Sequence, residues 1–365
     1  MSDNAEPILT KDSSSTDLPF AKLKSWQWWL LVSLNIVLLL FGQFAAVLLG
    51  RFYYDKGGNS TWLATLLQTA AFPILFIPYF IIGSSQKPTE TANSASRLHV
   101  YLVYIVLGAI IAGDNMLYSV GLLYLSASTY SILCATQLVS NAIFSFFINQ
   151  QKFTILILNS VVVLTLSASL LGVNGDSTEP SGVSKGKYVI GFVSTLGASA
   201  LYSLILSLMQ LSFQKVIKKE TFSVVLEMQI YTSVVATGIC IIGLFASGDW
   251  KTLHGEMNTF STGRLSYVLT LVWTGVAWQV CAVGVVGLIY IVSSLFSNVI
   301  STLSLALTPV AALIVFHDKM NGVKIIAMLL GIWGSISYIY QNYLDDAKVR
   351  KTRTTAEAPL NDSIC

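Results

Sequence analysis

The chain has 365 residues, of which 54% are hydrophobic and 11% charged, with a mean hydropathy of +0.68. A soluble globular protein carries about 25% charged residues, so the composition excludes an ordinary soluble domain and points to a polytopic membrane protein. The formal net charge is +3, and Lys and Arg are confined to loops and tails, which excludes the basic stripe of a nucleic-acid-binding surface.

Residues 1–27 are polar, carry a Ser-Ser-Ser-Thr run and lack the apolar core of a signal peptide. They are expected to form a disordered cytosolic tail ahead of an uncleaved first span. About 20 apolar residues cross a bilayer as a helix. Ten windows meet that test: 28–50, 61–83, 99–121, 124–147, 154–173, 188–211, 223–247, 266–289, 292–316 and 323–343. Trp26, Trp28 and Trp29 sit at one water–lipid boundary, where amphipathic rings collect. A Gly-, Pro- and Ser-containing loop at 174–187 divides the chain into two groups of five spans, 28–173 and 188–343, and residues 344–365 form a second tail. With both tails in the cytosol, 13 of the 21 basic residues face inward, which sets that orientation. Pro73, Pro78 and Pro309 fall inside spans 2 and 9 and are hinge candidates.

The two groups of spans share a pattern. Gly121, Tyr124, Ser128 and Ser131 align with Gly287, Tyr290, Ser294 and Ser297 at a spacing of 166, and Lys152 aligns with Lys319 one residue further on. Five spans is an odd number, so the second half lies upside down in the bilayer. The fold expected is an all-α membrane protein of ten transmembrane helices in two inverted five-helix repeats, with a site near the midplane between halves.

Of 18 acidic residues, only Asp114 and Glu227 fall within apolar spans, and neither is expected to have a cationic partner there unless a loop side chain reaches in. An ionised carboxylate at membrane depth costs roughly 2.5–3.5 kcal/mol on insertion scales. Asp114 lies roughly 10 Å from the end of its span at 1.5 Å per residue. Burial without a cationic partner favours a neutral carboxyl, and a carboxyl that gains and loses a proton in the membrane is what proton coupling requires. Asn115 is adjacent and Tyr118 shares the Asp114 face. Glu227 lies one turn inside its span, where Lys218 or Lys219 could instead pair with it. Tyr231 shares its face, while Gln229 is some 200° around the helix, so Glu227 and Gln229 cannot both face one cavity. In span 4, Gln137 and Asn141 stack on one face with Cys134, and their amides offer donors and acceptors. In span 8, Trp273, Trp278 and Gln279 offer stacking faces and an amide. Val280 stands at the repeat position of Asp114, so the charge is not duplicated.

Cys134, Cys240, Cys281 and Cys365 show neither disulfide nor metal spacing. His99, His254 and His317 lie at span ends or in loops, and neither a phosphate loop nor an HExxH motif is present. Neither a metal nor another cofactor is expected, and an enzyme is not. No span offers the cation that would hold a phosphorylated substrate, which leaves a small neutral or weakly cationic solute. The alternatives are an exporter or carrier of other nitrogen heterocycles and, from a different class, a polytopic receptor that binds without moving its ligand.

Several stretches together resemble the plant purine permease family of the drug/metabolite transporter superfamily. They are GDNMLYSVGLLYL (113–125), STYSILCATQLVSNAIFSFF (128–147), QKFT (151–154), LEMQIY (226–231) and FHDKMNGVKIIAMLLGIWG (316–334). The resemblance implies ten spans as two inverted repeats, cytosolic termini and proton-coupled uptake of adenine, cytokinins and related purine derivatives, with the plasma membrane expected over an internal one. Ser126 stands where the family leads one to expect proline, which leaves the backbone shape at the start of span 4 open and not the class. On this reading the proton gradient drives import by alternating access. Asp114 carries the proton with Asn115 and Tyr118 beside it, and Gln137 and Asn141 read the heterocycle's edge. Glu227, with Tyr231, accepts an N–H of the base or serves as a second proton site, Trp278 stacks on the ring, and Gln279 supplies a further amide. Oligomeric state has no sequence signal.

Overall fold

A segment that crosses hydrocarbon must satisfy its backbone polar groups internally, which leaves helices or a closed barrel. A computed structural model describes residues 25–83, 94–149, 155–173, 184–217, 222–317 and 320–357. The described chain is helical, with no strand. In order the helices are α1 (Ser25–Asp55), α2 (Thr61–Ala70), α3 (Phe76–Gly83), α4 (Ser94–Tyr124), α5 (Ala127–Cys134), α6 (Gln137–Asn149), α7 (Ile155–Val173), α8 (Lys185–Ser212), α9 (Ser223–Ser247), α10 (Leu253–Thr259), α11 (Arg264–Ile291), α12 (Ser294–Phe316) and α13 (Gly322–Glu357). Eight helical segments among the described residues are long and apolar enough to cross a membrane, and α7 and α13 contribute shorter apolar stretches at Leu158–Ser167 and Gly322–Ser337. The helix of α13 continues well past residue 343, into what the sequence presents as a tail. Residues 1–24, Lys152, Lys319, Lys218 and Lys219 lie outside the described residues.

Two spans are broken, each for a local reason. Pro73 lacks the N–H that would continue α2, and the chain passes through a 3₁₀ turn, Phe72–Leu75, before resuming as α3. Span 4 is interrupted at Ala135-Thr136, between α5 and α6. Pro309, by contrast, is carried inside a continuous α12. α8 ends in a π-helical turn, Phe213–Ile217.

The connections α4–α5 and α11–α12 are two residues long. Ser126 and Ser293 are the N-caps, accepting from Thr129 N (3.3 Å) and Phe296 N (3.1 Å), as short hydroxyl side chains do at helix starts. Ser126 has φ −65°, the value a pyrrolidine ring would impose. The serine therefore has a φ that a proline would also take and adds a cap, which answers the question its presence raises.

Two basic side chains counted with the loops reach into the helical layer. Arg51 Nη1 donates to the Leu122 and Leu125 carbonyls (2.9 Å each), and Nη2 pairs with Asp55 at 2.7 Å. It thereby serves carbonyls that the end of α4 leaves without helical donors. Lys324, 1% exposed, donates from Nζ to the Ser126 and Ser128 hydroxyls at 3.2 and 3.1 Å.

α1 and α11 form the most extensive helix pair, and small residues allow it. A Cβ on Gly42 would lie 2.5 Å from Cys281 N, and one on Gly284 2.5 Å from Leu39 N. Close backbone approach at small residues is how helices associate without a hydrophobic driving force. The far side of α1 presents Trp26, Leu30, Leu34, Val37 and Phe41 outward. Inside, one apolar cluster gathers around Leu39, Leu206, Met209, Val286 and Tyr290. A second, rich in tyrosine, gathers around Tyr53, Tyr54, Tyr118, Tyr130 and Leu125. A cavity lies where the two meet.

Candidate functional site

A cavity of about 120 Å³ is lined by α1, α2, α4, α5, α6, α8, α9, α11 and α12. Its order of size matches the 150 Å³ engineered cavity that takes up benzene, so one small aromatic ring system is the natural scale of occupant. One wall is aliphatic, from Ile205, Leu206 and Met209 of α8 and Val285 and Val286 of α11. Tyr118, Tyr130, Tyr202 and Trp278 give the cavity aromatic faces. Gln43, Gln68, Asp114, Asn115, Gln137 and Gln229 add polar groups to the lining. A mostly apolar pocket with a few convergent polar groups is the usual form of a small-molecule site.

Asp114 lines this cavity from α4 and is 2% exposed. Among the described residues no protein group donates to its Oδ1, and both buried cations are held elsewhere, Arg51 by the end of α4 and Lys324 by two serines. Asn115 also lines the cavity, and its carbonyl accepts from Gln68 Nε2 at 3.1 Å. One turn on, the Tyr118 hydroxyl donates to Gln137 Oε1 at 3.4 Å, and Gln137 Nε2 donates to Ser301 Oγ at 2.9 Å. The Gln137 carbonyl, just past the break in span 4, accepts from Ser203 Oγ (2.6 Å) and Asn298 Nδ2 (3.2 Å). A single residue thus ties α6 to α4, α8 and α12.

Gln279 is fully buried and does not line the cavity. Its Nε2 donates to the carbonyls of Thr69 (3.0 Å) and Gln68 (3.2 Å), and its Oε1 accepts from Gln229 Nε2 at 3.2 Å. It braces the wall behind Gln229 rather than facing a ligand.

Three further sequence candidates lie off the cavity. Glu227 is half-buried and accepts from the Tyr79 hydroxyl at 3.3 Å. Tyr231, 43% exposed, stacks on Tyr104 with ring centroids 5.3 Å apart and 8° between planes. Asn141, one turn beyond Gln137, spans α12 and α8 through Ser294 O (3.5 Å) and Ser207 Oγ (3.3 Å). The 200° separation on α9 decides which side chain faces inward, and the cavity takes Gln229. Gln43 and Gln68 are the residues the sequence reading passed over. Gln43 could have been found by the argument applied to Gln137, since it is an amide in the middle of an apolar run, LLLFGQFAAVLL.

At the end of the molecule where α1 finishes, a polar clasp covers the aromatic cluster. Glu256 of α10 accepts from the Tyr53 hydroxyl (2.7 Å), the Tyr267 hydroxyl (3.4 Å) and Asn59 N (3.2 Å), while Ser60 Oγ donates to Asp249 at 2.8 Å. The α1–α2 connection is thereby fastened to the α9–α11 connection.

Comparison with known proteins gives a consistent picture. The family described as purine nucleobase transmembrane transport matches residues 30–348. Among relatives, probable purine permease 11 of Arabidopsis thaliana is 67% identical over 99% of this chain and 96% of its own length. Purine permease 21 of the same plant is 47% identical over 97% and 93%. A solved crystal structure superposes with a TM-score of 0.50 at 15% identity, over 82% of this chain and 98% of the other, a likeness of fold alone.

Proposed function

The chain belongs to the purine permease family of multi-pass membrane transporters, and from that premise we propose that it imports adenine-type bases and cytokinins with protons by alternating access at the cavity of Asp114. The observation that carries this reading is a single acid, unneutralised by any cation among the described residues, lining a ring-sized cavity of aromatic and amide groups. On this reading α7 and α13 complete ten spans, and 28–173 and 188–343 are two inverted halves that rock about the cavity. The termini lie in the cytosol and the protein resides in the plasma membrane.

The roles follow from position. Trp278 stacks on the base, a contact worth ~1–3 kcal/mol per base elsewhere. Gln137, oriented by Tyr118 and Ser301, presents its amide to the heterocycle's edge. Asn115 stands beside Asp114, which takes up a proton from outside and releases it inside. Burying the acid is far less costly when neutral, so the loaded carrier reorients with Asp114 protonated. The proton brings energy in a simple ratio: at one proton per base, a gradient of one pH unit is worth about 1.4 kcal/mol and sustains about tenfold accumulation. Asn141, Glu227 and Tyr231 take no part in binding on this geometry, and Gln279 acts by bracing Gln229.

The test is uptake of labelled adenine and a labelled cytokinin by proteoliposomes holding the purified protein, with and without an inward proton gradient. Accumulation that follows the gradient supports the reading. Equilibration of base without concentration, at every imposed gradient, defeats proton coupling.

A further inference from the structure

Asp114 Oδ1 is one of two fully buried acceptors on cavity-lining side chains that no protein group among the described residues serves. The other is Gln43 Oε1, on α1, in a side chain 7% exposed. A buried acceptor without a donor is costly to leave unmet, and native structures carry few of them without a reason. On the other three cavity glutamines each amide nitrogen has at least one protein acceptor. Gln68 Nε2 reaches Asn115 O and Ser119 Oγ, Gln137 Nε2 reaches Ser301 Oγ, and Gln229 Nε2 reaches Ser233 Oγ and Gln279 Oε1. The unmet capacity on α1 and on α4 is therefore of the same sign: both positions ask for a donor.

We infer that Gln43 is a specificity-determining residue, whose Oε1 accepts one N–H of the bound base while Asp114 accepts another, so that the site selects bases with two separate N–H donors. This rests on the cavity being the purine site proposed above. An aminopurine such as adenine meets the requirement with its exocyclic amine at one end of the fused ring and its ring N–H at the other. The hydrophobic and stacking walls cannot make this distinction, because every base offers them a π face. A site built to hydrogen-bond an N–H rejects an analogue that lacks it, since the protein acceptor is then left unpaired.

The experiment is competition against labelled adenine uptake in proteoliposomes by purine, which lacks the exocyclic amine, and by 9-methyladenine, which lacks the ring N–H. In the wild-type protein each analogue is expected to compete about tenfold more weakly than adenine. In Gln43→Met one of the two penalties disappears, and which one identifies the N–H that Gln43 reads. Gln43→Glu, which keeps an acceptor and removes the donor, retains both penalties and decides the matter should the methionine variant fail to fold. Persistence of both penalties in Gln43→Met, or loss of one in Gln43→Glu, overturns the role of Gln43 and leaves the purine site standing. Absence of wild-type adenine uptake removes the purine site and this inference with it.

Discussion

Gln279 donates to the carbonyl of Thr69 at 3.0 Å, and that carbonyl is the one whose helical donor, four residues on, is Pro73. Proline has no N–H to give. In a membrane the freed carbonyl needs another partner, and a side chain from α11 supplies it. The broken span 2 and the buried amide of span 8 are one device.

Removing the amide should therefore expose the defect. Gln279→Leu leaves the Thr69 carbonyl with only the close Ala71 N–H, takes the acceptor from Gln229 Nε2, and is expected to cost about 1–3 kcal/mol, read as a lower melting temperature in detergent. Pro73→Ala restores an N–H at position 73. The double variant should recover part of the loss, a coupling that a double-mutant cycle measures. Strictly additive effects would show the two residues to be independent.

The sequence makes the membrane layer and much of the site legible, because both follow from hydropathy and from the cost of polar atoms within it. Asp114, Asn115, Tyr118, Gln137 and Trp278 all line the cavity, and each was chosen as a polar or aromatic group in an apolar run. What the sequence could not supply is rotation about each helix. Asn141 shares a face with Gln137 yet lies one turn beyond the cavity, joining α6 to α12 and α8. Glu227 and Gln229 cannot both face one cavity, and the side that faces it carries the amide and not the acid. Arg51 and Lys324 were read as loop residues, because a long basic side chain at a helix end can serve a neighbouring helix terminus or solvent, and nothing local distinguishes the two. Register shows the same limit. The capping serines Ser126 and Ser293 stand one residue further apart than the spacing of 166 between Gly121 and Gly287. The Leu288 carbonyl absorbs the extra residue by accepting from both Val292 (2.9 Å) and Ser293 (3.1 Å).

Asp114→Asn keeps the size and hydrogen-bonding capacity of the side chain and removes its titration. Exchange of labelled adenine across the bilayer at equal pH should persist. Accumulation driven by a pH gradient should fall to the level of equilibration. Wild-type accumulation in this variant, with the protein folded in the bilayer, would assign the proton to another group.

The α1–α11 contact predicts a sharp positional effect among glycines. Gly284→Ala places a methyl group 2.5 Å from Leu39 N and 2.7 Å from Asn35 O, so the helices must part. Overpacking of this kind costs typically about 1–3 kcal/mol. Gly238→Ala, in α9, meets nothing within 4 Å and should be neutral or gain up to about 1 kcal/mol from helix propensity. Thermal melts of the two variants side by side check the contrast. Equal melting temperatures would mean that α1 and α11 do not approach as closely as the backbone indicates.

The two polar side chains near the start of α9 make opposite predictions. Glu227 accepts from Tyr79 on α3 and lies off the cavity. Glu227→Gln keeps an acceptor for that hydroxyl and is expected to leave the transport constant for adenine within about twofold of wild type, as surface changes of about 0.5 kcal/mol or less do. Gln229 faces the cavity and holds both Ser233 and Gln279. Gln229→Met severs that link, leaves Gln279 Oε1 without its donor, and should raise the transport constant about tenfold, in line with the cost of an unmet buried acceptor. Initial-rate kinetics on the pair separate the cases. A large rise in Glu227→Gln with none in Gln229→Met would place the binding site on the other face of α9.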